Sequence, residues 1–348
     1  MQVAESSSHG AGRVLGLDTL RFVAALWVAV SHVGFVPLFA QMDRSTPIGF
    51  VLQAASGILF SGAAAVVIFF VVSGFCIHYP FARGAQFEVT PYFIRRYLRI
   101  TIPMFAAMLL TEAADVDSIQ FFHAVLWSLV AELMYYTLYP VIRRLMTRFP
   151  LDALIVVSYL LAVSIWVAGP RVSGFAIYGW EWNWLLCLPC WLLGVRLAET
   201  WSNPSRLPGT AKGRAYIWKW RLFIWALSST CLALNFHSFA SYALTLNFFG
   251  LFVYFWLRRE LEAFNSLASP PALLEKAGAW SYSIYLCHIA ATAIYAKLNV
   301  PSLAWESIGW GLKMALVLLI SYAFYLAVER PSHLLARRAA SRRTQLGY

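Results

Sequence analysis

The feature that most constrains this chain is a stretch of 36 residues, 222–257, without a single aspartate, glutamate, lysine or arginine. A helix needs about 20 mostly apolar residues to cross a bilayer, so this stretch predicts two crossings, separated at 235–238. Only helices and closed barrels satisfy every backbone polar group inside a bilayer. The whole chain is 60% hydrophobic and 12% charged, whereas soluble domains carry about 25% charged residues. These features predict a polytopic membrane protein made of helices.

The distribution of positive charge tests how many spans the chain contains. If the N-terminus is cytoplasmic and there are ten spans, 22 of the 27 lysines and arginines fall on the cytoplasmic side and three outside. Such a bias agrees with the positive-inside rule. The sequence therefore predicts an all-α bundle of about ten transmembrane helices in contact with membrane lipids, with both termini cytoplasmic. The predicted spans are 17–39, 57–79, 97–112, 120–142, 152–169, 182–199, 221–236, 239–257, 278–297 and 308–328.

Charge and cysteine content exclude other classes of protein. The net charge is +11, but the basic residues lie in short runs between apolar stretches, so membrane topology explains them and we expect no nucleic-acid partner. The five cysteines all lie in apolar stretches, which argues against a disulfide framework. Cys187 and Cys190 form a CxxC within an apolar run, where a buried structural pair is favoured over a zinc site, and no metal is expected.

The first predicted span carries three ionisable residues on one face. Arg21 and His32 are 11 residues apart, which is about three helical turns or roughly 16 Å, and Asp18 lies three residues before Arg21. This stripe is predicted to run from the cytoplasmic edge to the middle of the membrane. Ionisable groups inside spans are costly and are functional candidates by default. The alternative, a structural ion pair with a histidine bonded to a neighbouring helix, stays open.

A carboxyl group and an arginine cluster form the next candidates. Glu132 lies in the middle of the fourth predicted span, where it could pair with a histidine in acid–base chemistry or act as a packing carboxyl group. Arg95, Arg96 and Arg99 enter the third predicted span at helical spacings that place them on nearly one face. Guanidinium groups bind phosphate bidentately. Taken alone, the cluster is better explained as ordinary positive-inside charge, which the other basic loops also show.

Three further polar residues share a face of the ninth predicted span. Ser281, Tyr285 and His288 follow i, i+4, i+7 spacing, and hydrogen bonding between helices explains them as well as catalysis does. His123 and His237 lie near the predicted outer surface and are interpreted as interfacial histidines.

Six segments, in order across 16–331, form a series of short motifs. The segments are Gly16-Leu17-Asp18-Thr19-Leu20-Arg21-Phe22 continuing to Ser31-His32 (a basic residue, ten positions, then histidine), Phe69-Phe70-Val71-Val72-Ser73-Gly74-Phe75 (FFxxSGF), Arg95-Arg96-Tyr97-Leu98-Arg99-Ile100 with Pro103 (RRxxRIxP), Trp127-Ser128-Leu129 with Glu132 and Tyr135-Tyr136 (WSLxxExxFY), Ser281-Tyr282-Ser283-Ile284-Tyr285-Leu286 with His288 (SYSxYLxH), and Glu329-Arg330-Pro331 (E-basic-P). These segments resemble, in the same order, the motifs given in parentheses, which belong to the acyltransferase-3 family of integral membrane acyltransferases, of the surface-glycan O-acetyltransferase type. Each motif alone is weak, but six in order make the resemblance specific.

The resemblance implies a ten-helix bundle in a bacterial inner membrane. It implies transfer of an acyl group, usually acetyl, from cytoplasmic acyl-CoA to a hydroxyl of a surface polysaccharide, a lipopolysaccharide, or another glycan or lipid-linked glycan acceptor. It divides the chain into a cytoplasmic tail at 1–15, the membrane domain at 16–331 and a basic cytoplasmic tail at 332–348. It implies no oligomeric state.

The resemblance also implies roles for single residues. His32 corresponds to the catalytic histidine, which would deprotonate the acceptor hydroxyl or carry the acyl group itself. Arg21 is its basic partner, oriented by Asp18, and Glu132 is expected to set the tautomer of His32 or relay its proton. The arginines that meet acyl-CoA are Arg96 and Arg99, with Arg95 beside them in the cluster.

Two other functions compete with acyl transfer. A transporter or flippase for a lipid-linked glycan precursor would explain the spans and the intramembrane charges, although the chain lacks the repeated halves found in many transporters. A non-catalytic scaffold would leave the co-linear set of Arg21, His32 and Glu132 unexplained. Cleavage of labelled acetyl-CoA separates an acyltransferase from a transporter.

Overall fold

The computed structural model describes most of the chain as helix, and the described residues contain no β-strand. Predicted features outside the described part include most of the N-terminal tail and the middle of the polar segment at 196–220. The described residues are 14–34, 36–37, 39, 41–169, 175–203, 213–238, 240–298 and 306–345.

Each of the ten predicted spans overlaps one of the helices. The long uncharged stretch is divided between two helices that end at His237 and begin at Tyr242, which confirms the predicted separation. The ten are α1 (Leu17–Val33), α3 (Gly62–Ala82), α4 (Val89–Ala113), α6 (Trp127–Met146), α7 (Leu151–Ala168), α8 (Gly179–Ser202), α9 (Arg214–His237), α10 (Tyr242–Ser266), α12 (Ser281–Lys297) and α13 (Glu306–Phe324).

The remaining helical elements are shorter connections, together with one long C-terminal helix. That helix begins at Arg330 and continues α13 through a π-helical turn, so most of the predicted C-terminal tail is helical. These elements are α2 (Pro47–Ile58), α5 (Ser118–Phe121), a π-helix at Phe122–Leu126, 3₁₀ turns at Phe175–Tyr178 and Gly278–Trp280, α11 (Ala272–Ala277), a π-helix at Tyr325–Glu329 and α14 (Arg330–Gln345).

Four helical segments in the described part of the chain are long and apolar enough to cross a membrane by length and composition alone. They are Pro47–Ala82, Ser118–Met146, Leu151–Ala168 and Glu306–Ser341. Other helices over predicted spans are short or carry charge: α1 and α12 have 17 residues each, and α4 contains three arginines. The protein is therefore an all-α, multi-pass membrane bundle, and the exact number of crossings and the side on which the termini lie stay predictions.

Two predicted span limits were wrong in ways that affect the candidate site. The first span was placed at 17–39, but α1 ends at Val33, where Gly34 has a positive φ of 117°; a residue of this kind commonly ends a helix. His32 is therefore close to the end of α1 and not in the middle of that helix. The third span was placed at 97–112, but its helix begins at Val89. The arginine cluster is thus inside α4, which fixes the directions of its side chains.

The N-terminus of α1 is held by α11. The side chain of Glu275 accepts hydrogen bonds from the backbone nitrogens of Gly16 (3.3 Å) and Thr19 (3.0 Å) and from the Thr19 hydroxyl (2.7 Å). A carboxylate at this end satisfies backbone donors that lack helical partners and interacts favourably with the helix dipole. This contact orients the first turn of α1, which carries Asp18 and Arg21.

Helices α3 and α8 approach each other through two glycines. A Cβ atom on Gly74 would lie 2.0 Å from the carbonyl oxygen of Trp191, and one on Gly194 would lie 2.0 Å from that of Val71. Small residues let membrane helices pack closely. The glycine of the segment resembling FFxxSGF therefore sets the α3–α8 contact, while neighbouring Ser73 lines a cavity on another side of α3.

Candidate active site

Five helices, α1, α3, α4, α6 and α12, enclose a cavity with an empty volume of about 960 Å³, its open mouth included. Three arginines and one glutamate contribute charge to a lining that is otherwise apolar, aromatic or hydroxylic. The lining residues are Arg21, Val66, Phe69, Phe70, Val72, Ser73, Cys76, Arg96, Arg99, Ile100, Ser128, Leu129, Glu132, Tyr136, Ser281, Tyr282 and Tyr285. We call this space the arginine cavity.

The arginines reach the cavity from two helices. Arg21 comes from the first turns of α1, where Asp18 Oδ1 lies 3.5 Å from its Nη1 atom. Arg96 and Arg99 come from α4, and the Arg96 guanidinium lies over the ring of Tyr136 at 5.9 Å from the ring centroid. Arg95 does not line the cavity and is exposed. Of the three α4 arginines chosen as candidates from the sequence, Arg96 and Arg99 are thus brought together with Arg21, and the third is not.

Glu132 is held by hydroxyl groups within the cavity. Its Oε1 atom accepts hydrogen bonds from Ser73 Oγ at 2.7 Å and from Tyr136 OH at 2.5 Å. Ser73 belongs to the segment resembling FFxxSGF, and Tyr136 lies one turn after Glu132 on α6. Glu132 does not set the tautomer of His32 by direct contact, because the His32 imidazole is hydrogen-bonded to other groups; the proton relay through Glu132 stays a prediction.

His32 lies towards the opposite end of α1 and does not line the arginine cavity. It is exposed, in contrast to the buried imidazole that the sequence predicted. Its Nδ1 atom lies 3.1 Å from the carbonyl oxygen of Val28 and 3.2 Å from Nε2 of His288. The two imidazole rings are 4.9 Å apart and tilted by 36°. We call His32 and His288 the histidine pair.

Tyr285 connects the arginine cavity to the histidine pair. Its ring lines the cavity and lies 6.1 Å from the ring of His288, which follows it by one helical turn. Its hydroxyl lies 2.5 Å from Ser128 Oγ and donates to the carbonyl oxygen of Val125 at 3.1 Å. Val125 belongs to the π-helix before α6, and such π-helical turns occur often at functional sites.

Glu329 is a buried carboxyl group that the candidate residues chosen from the sequence did not include. It is 1% exposed, and its Oε2 atom accepts from the backbone nitrogen of Ser283 at 3.0 Å and from the Ser283 hydroxyl at 2.5 Å. It therefore joins the second π-helix to the start of α12, beside the cavity-lining Ser281 and Tyr282. The E-basic-P motif was the signal that could have identified it.

The other residues singled out from the sequence lie away from the cavity. His123 and His237 are exposed, as their interpretation as interfacial histidines requires. Cys187 and Cys190 are buried free thiols, and Cys190 Sγ lies 3.6 Å from the side-chain oxygen of Asn247. Cys190 therefore contributes to the packing of α8 against α10.

A family model described as an acyltransferase domain matches residues 14–326 of the chain. The protein belongs to the acyltransferase-3 family. The match includes every residue that lines the arginine cavity and both members of the histidine pair, whereas Glu329 and α14 of this acyltransferase-3 protein lie beyond it. A comparison with curated proteins and one with solved structures gave no match. The protein is therefore a membrane acyltransferase by family.

Proposed function

We propose that this membrane acyltransferase is an O-acyltransferase that moves an acyl group, acetyl in the simplest case, from cytoplasmic acyl-CoA to a hydroxyl of a surface polysaccharide, a lipopolysaccharide or another glycan. The family supports acyl transfer. The observation that carries the choice of donor is the set of three arginines, Arg21, Arg96 and Arg99, around one cavity.

The arginine cavity is suited to a phosphorylated donor. Like charges in a site of low dielectric repel one another, so three guanidinium groups around one space favour an anionic ligand. Guanidinium groups form bidentate, charge-assisted bonds with phosphate. The cavity is otherwise lined by side chains such as Phe69 and Tyr285, which suit the less polar arm that carries the thioester. In the predicted topology this end of α1 faces the cytoplasm, where acyl-CoA is available.

The histidine pair supplies the group that acts on the acceptor. In the reaction, the hydroxyl oxygen attacks the thioester carbon, the carbon–sulfur bond breaks, an ester bond forms and the hydroxyl proton ends on the thiol of CoA. A general base must hold that proton during the attack. His32 is exposed near the predicted outer end of α1, where a glycan hydroxyl can approach it. Tyr285 lies between the base and the arginines.

The test of this function is transfer of labelled acetyl by the purified protein in lipid nanodiscs. We expect label from acetyl-CoA to appear on a polysaccharide acceptor and free CoA to appear in equal amount. A transporter or flippase would leave the thioester intact, and that result would refute the proposal. Acetylation of surface glycan, compared by mass spectrometry in cells with and without the gene, identifies the acceptor and tests the proposed location in a bacterial inner membrane.

A further inference from the structure

The proton on His288 can be placed from its surroundings. His288 is 0% exposed, and its Nδ1 atom lies 2.8 Å from the carbonyl oxygen of Tyr285 and 3.3 Å from that of Ile284. A carbonyl oxygen only accepts hydrogen bonds, so Nδ1 must carry the hydrogen. In a neutral imidazole the second nitrogen is then an acceptor. His288 therefore presents the lone pair of Nε2 towards His32.

The neighbours of His32 Nδ1 require a hydrogen on that atom too. The lone pair of His288 Nε2 lies 3.2 Å away and the carbonyl oxygen of Val28 lies 3.1 Å away. The third neighbour is Ser31 Oγ at 3.4 Å, and this hydroxyl donates its own hydrogen to Val28 at 2.7 Å. All three neighbours are thus available only as acceptors. The proton of neutral His32 belongs on Nδ1, and Nε2 keeps its lone pair.

We infer that His288 is a positioning residue that holds His32 in the Nδ1–H tautomer and so makes Nε2 of His32 the atom that acts on the acceptor. This inference deepens the proposed function and rests on it for its catalytic consequence. A base needs an unprotonated nitrogen within reach of the hydroxyl, and among the described residues Nε2 of His32 has no hydrogen-bond partner. A covalent role would need the same lone pair.

The histidine pair also accommodates the charge that forms during the reaction. When Nε2 of His32 takes the hydroxyl proton, the ring becomes a cation, and its Nδ1–H still points at the lone pair of His288. Carboxylates hold catalytic histidines in other enzymes by fixing the tautomer and stabilising the imidazolium ion. Here the neutral imidazole of His288 takes the place of the carboxylate, and the backbone carbonyl of Tyr285 fixes its own tautomer. Val28 adds a second acceptor from α1.

Variants at His288 separate positioning from packing. His288→Leu replaces the imidazole with a side chain of similar volume that cannot accept a hydrogen bond. We expect kcat to fall between about 10-fold and 10²-fold, with the KM for acyl-CoA unchanged. His288→Gln offers a side-chain oxygen near the position of Nε2 and should restore most of kcat. His237→Phe is the control, because it removes an exposed histidine at the end of another helix, α9, outside the pair. Equal kcat in the wild-type and His288→Leu proteins, or no rescue by glutamine, would overturn the inference.

Nitrogen NMR of histidine-labelled protein in nanodiscs tests the tautomer without any assay of activity. The His32 signals, assigned with His32→Asn, should show a protonated Nδ1 and an unprotonated Nε2 in the wild type, and a mixture of tautomers in His288→Leu. A wild-type proton on Nε2 would contradict the inference even if the enzyme transfers acetyl. The predicted tautomer in a protein that transfers no acyl group would support the positioning role and refute the proposed function alone.

Discussion

The arginine cavity and the histidine pair both include residues of α1, but the two regions differ in charge. The cavity is lined by side chains from five helices. Three of these side chains are arginines, and one is a glutamate whose carboxyl group accepts hydrogen bonds from two hydroxyl groups. The histidine pair needs only α1 and α12, and every group around its reactive ring is a neutral acceptor. Fixed charge suits binding of an anion, whereas a neutral ring with a free lone pair suits proton transfer. About three turns of α1, from Arg21 to His32, thus separate the proposed donor site from the proposed base.

Removal of the His32 imidazole is expected to have the largest effect, and that effect should be confined to the rate of acyl transfer. His32→Ala is expected to lower the rate of acyl transfer by about 10²- to 10⁴-fold, the usual contribution of a general base. The dissociation constant of acyl-CoA should not change, because His32 does not line the arginine cavity. Initial rates and calorimetric titration of the same preparation measure the two quantities. A parallel loss of donor affinity would mean that the two regions are one site.

Removal of a cavity arginine should have the converse effect. Arg99→Ala is expected to weaken acyl-CoA binding by about 1.5–3 kcal/mol, the range for hydrogen bonds to charged groups, while the rate at saturating donor changes little. Arg95→Ala is the matched control from the same helix, because Arg95 is exposed and outside the cavity. Isolated surface charges contribute about 0–1 kcal/mol. Equal losses in both variants would show that the cavity does not select the donor.

The α3–α8 contact tests whether the two regions depend on one scaffold. Gly74→Ala places a Cβ atom 2.0 Å from a backbone oxygen, and such overpacking is expected to cost about 1–3 kcal/mol of stability. Gly311→Ala makes the same change where no atom lies within 4 Å and should not destabilise the protein. Thermal unfolding in detergent compares the two variants. We expect only Gly74→Ala to lower both donor affinity and turnover.

The smallest predicted effect concerns the connection between the two regions. Tyr285→Phe removes a hydroxyl that bonds Ser128 and Val125, and a change of about 1 kcal/mol is expected, seen as a rate reduction of less than about tenfold. Tyr295→Phe, on the same helix, removes a hydroxyl that donates to Gly309 at 3.2 Å and serves as the control. Identical rates in the two variants would remove Tyr285 from the path between donor and base.

Hydropathy predicted the bundle well because bilayer thickness sets the length of a span. The ends of helices were less predictable, since Gly34 ends α1 soon after His32 and α4 extends back to Val89. Consecutive residues on a helix point about 100° apart. Arg99 is therefore within about 60° of both Arg95 and Arg96, and only the structure shows that Arg96 reaches the cavity with Arg99 while Arg95 does not.

Partners within one helix could be predicted, and partners from distant segments could not. Tyr136 is four residues after Glu132, a spacing at which helical side chains meet, whereas Ser73 reaches the same carboxylate from 59 residues away. The contact between His32 and His288 spans 256 residues. Periodicity placed His288 on a polar face of its own span, but it carries no information about which helix lies opposite.

The most direct test of the account is vectorial transfer in sealed proteoliposomes that contain the purified protein in one orientation. Labelled acetyl-CoA is supplied to one face and a glycan acceptor to the other. The account predicts labelled glycan only when acetyl-CoA faces the end of the bundle with the arginine cavity and the glycan faces the end with His32. Equal labelling with the two substrates exchanged, or with both supplied to the same face, would contradict it.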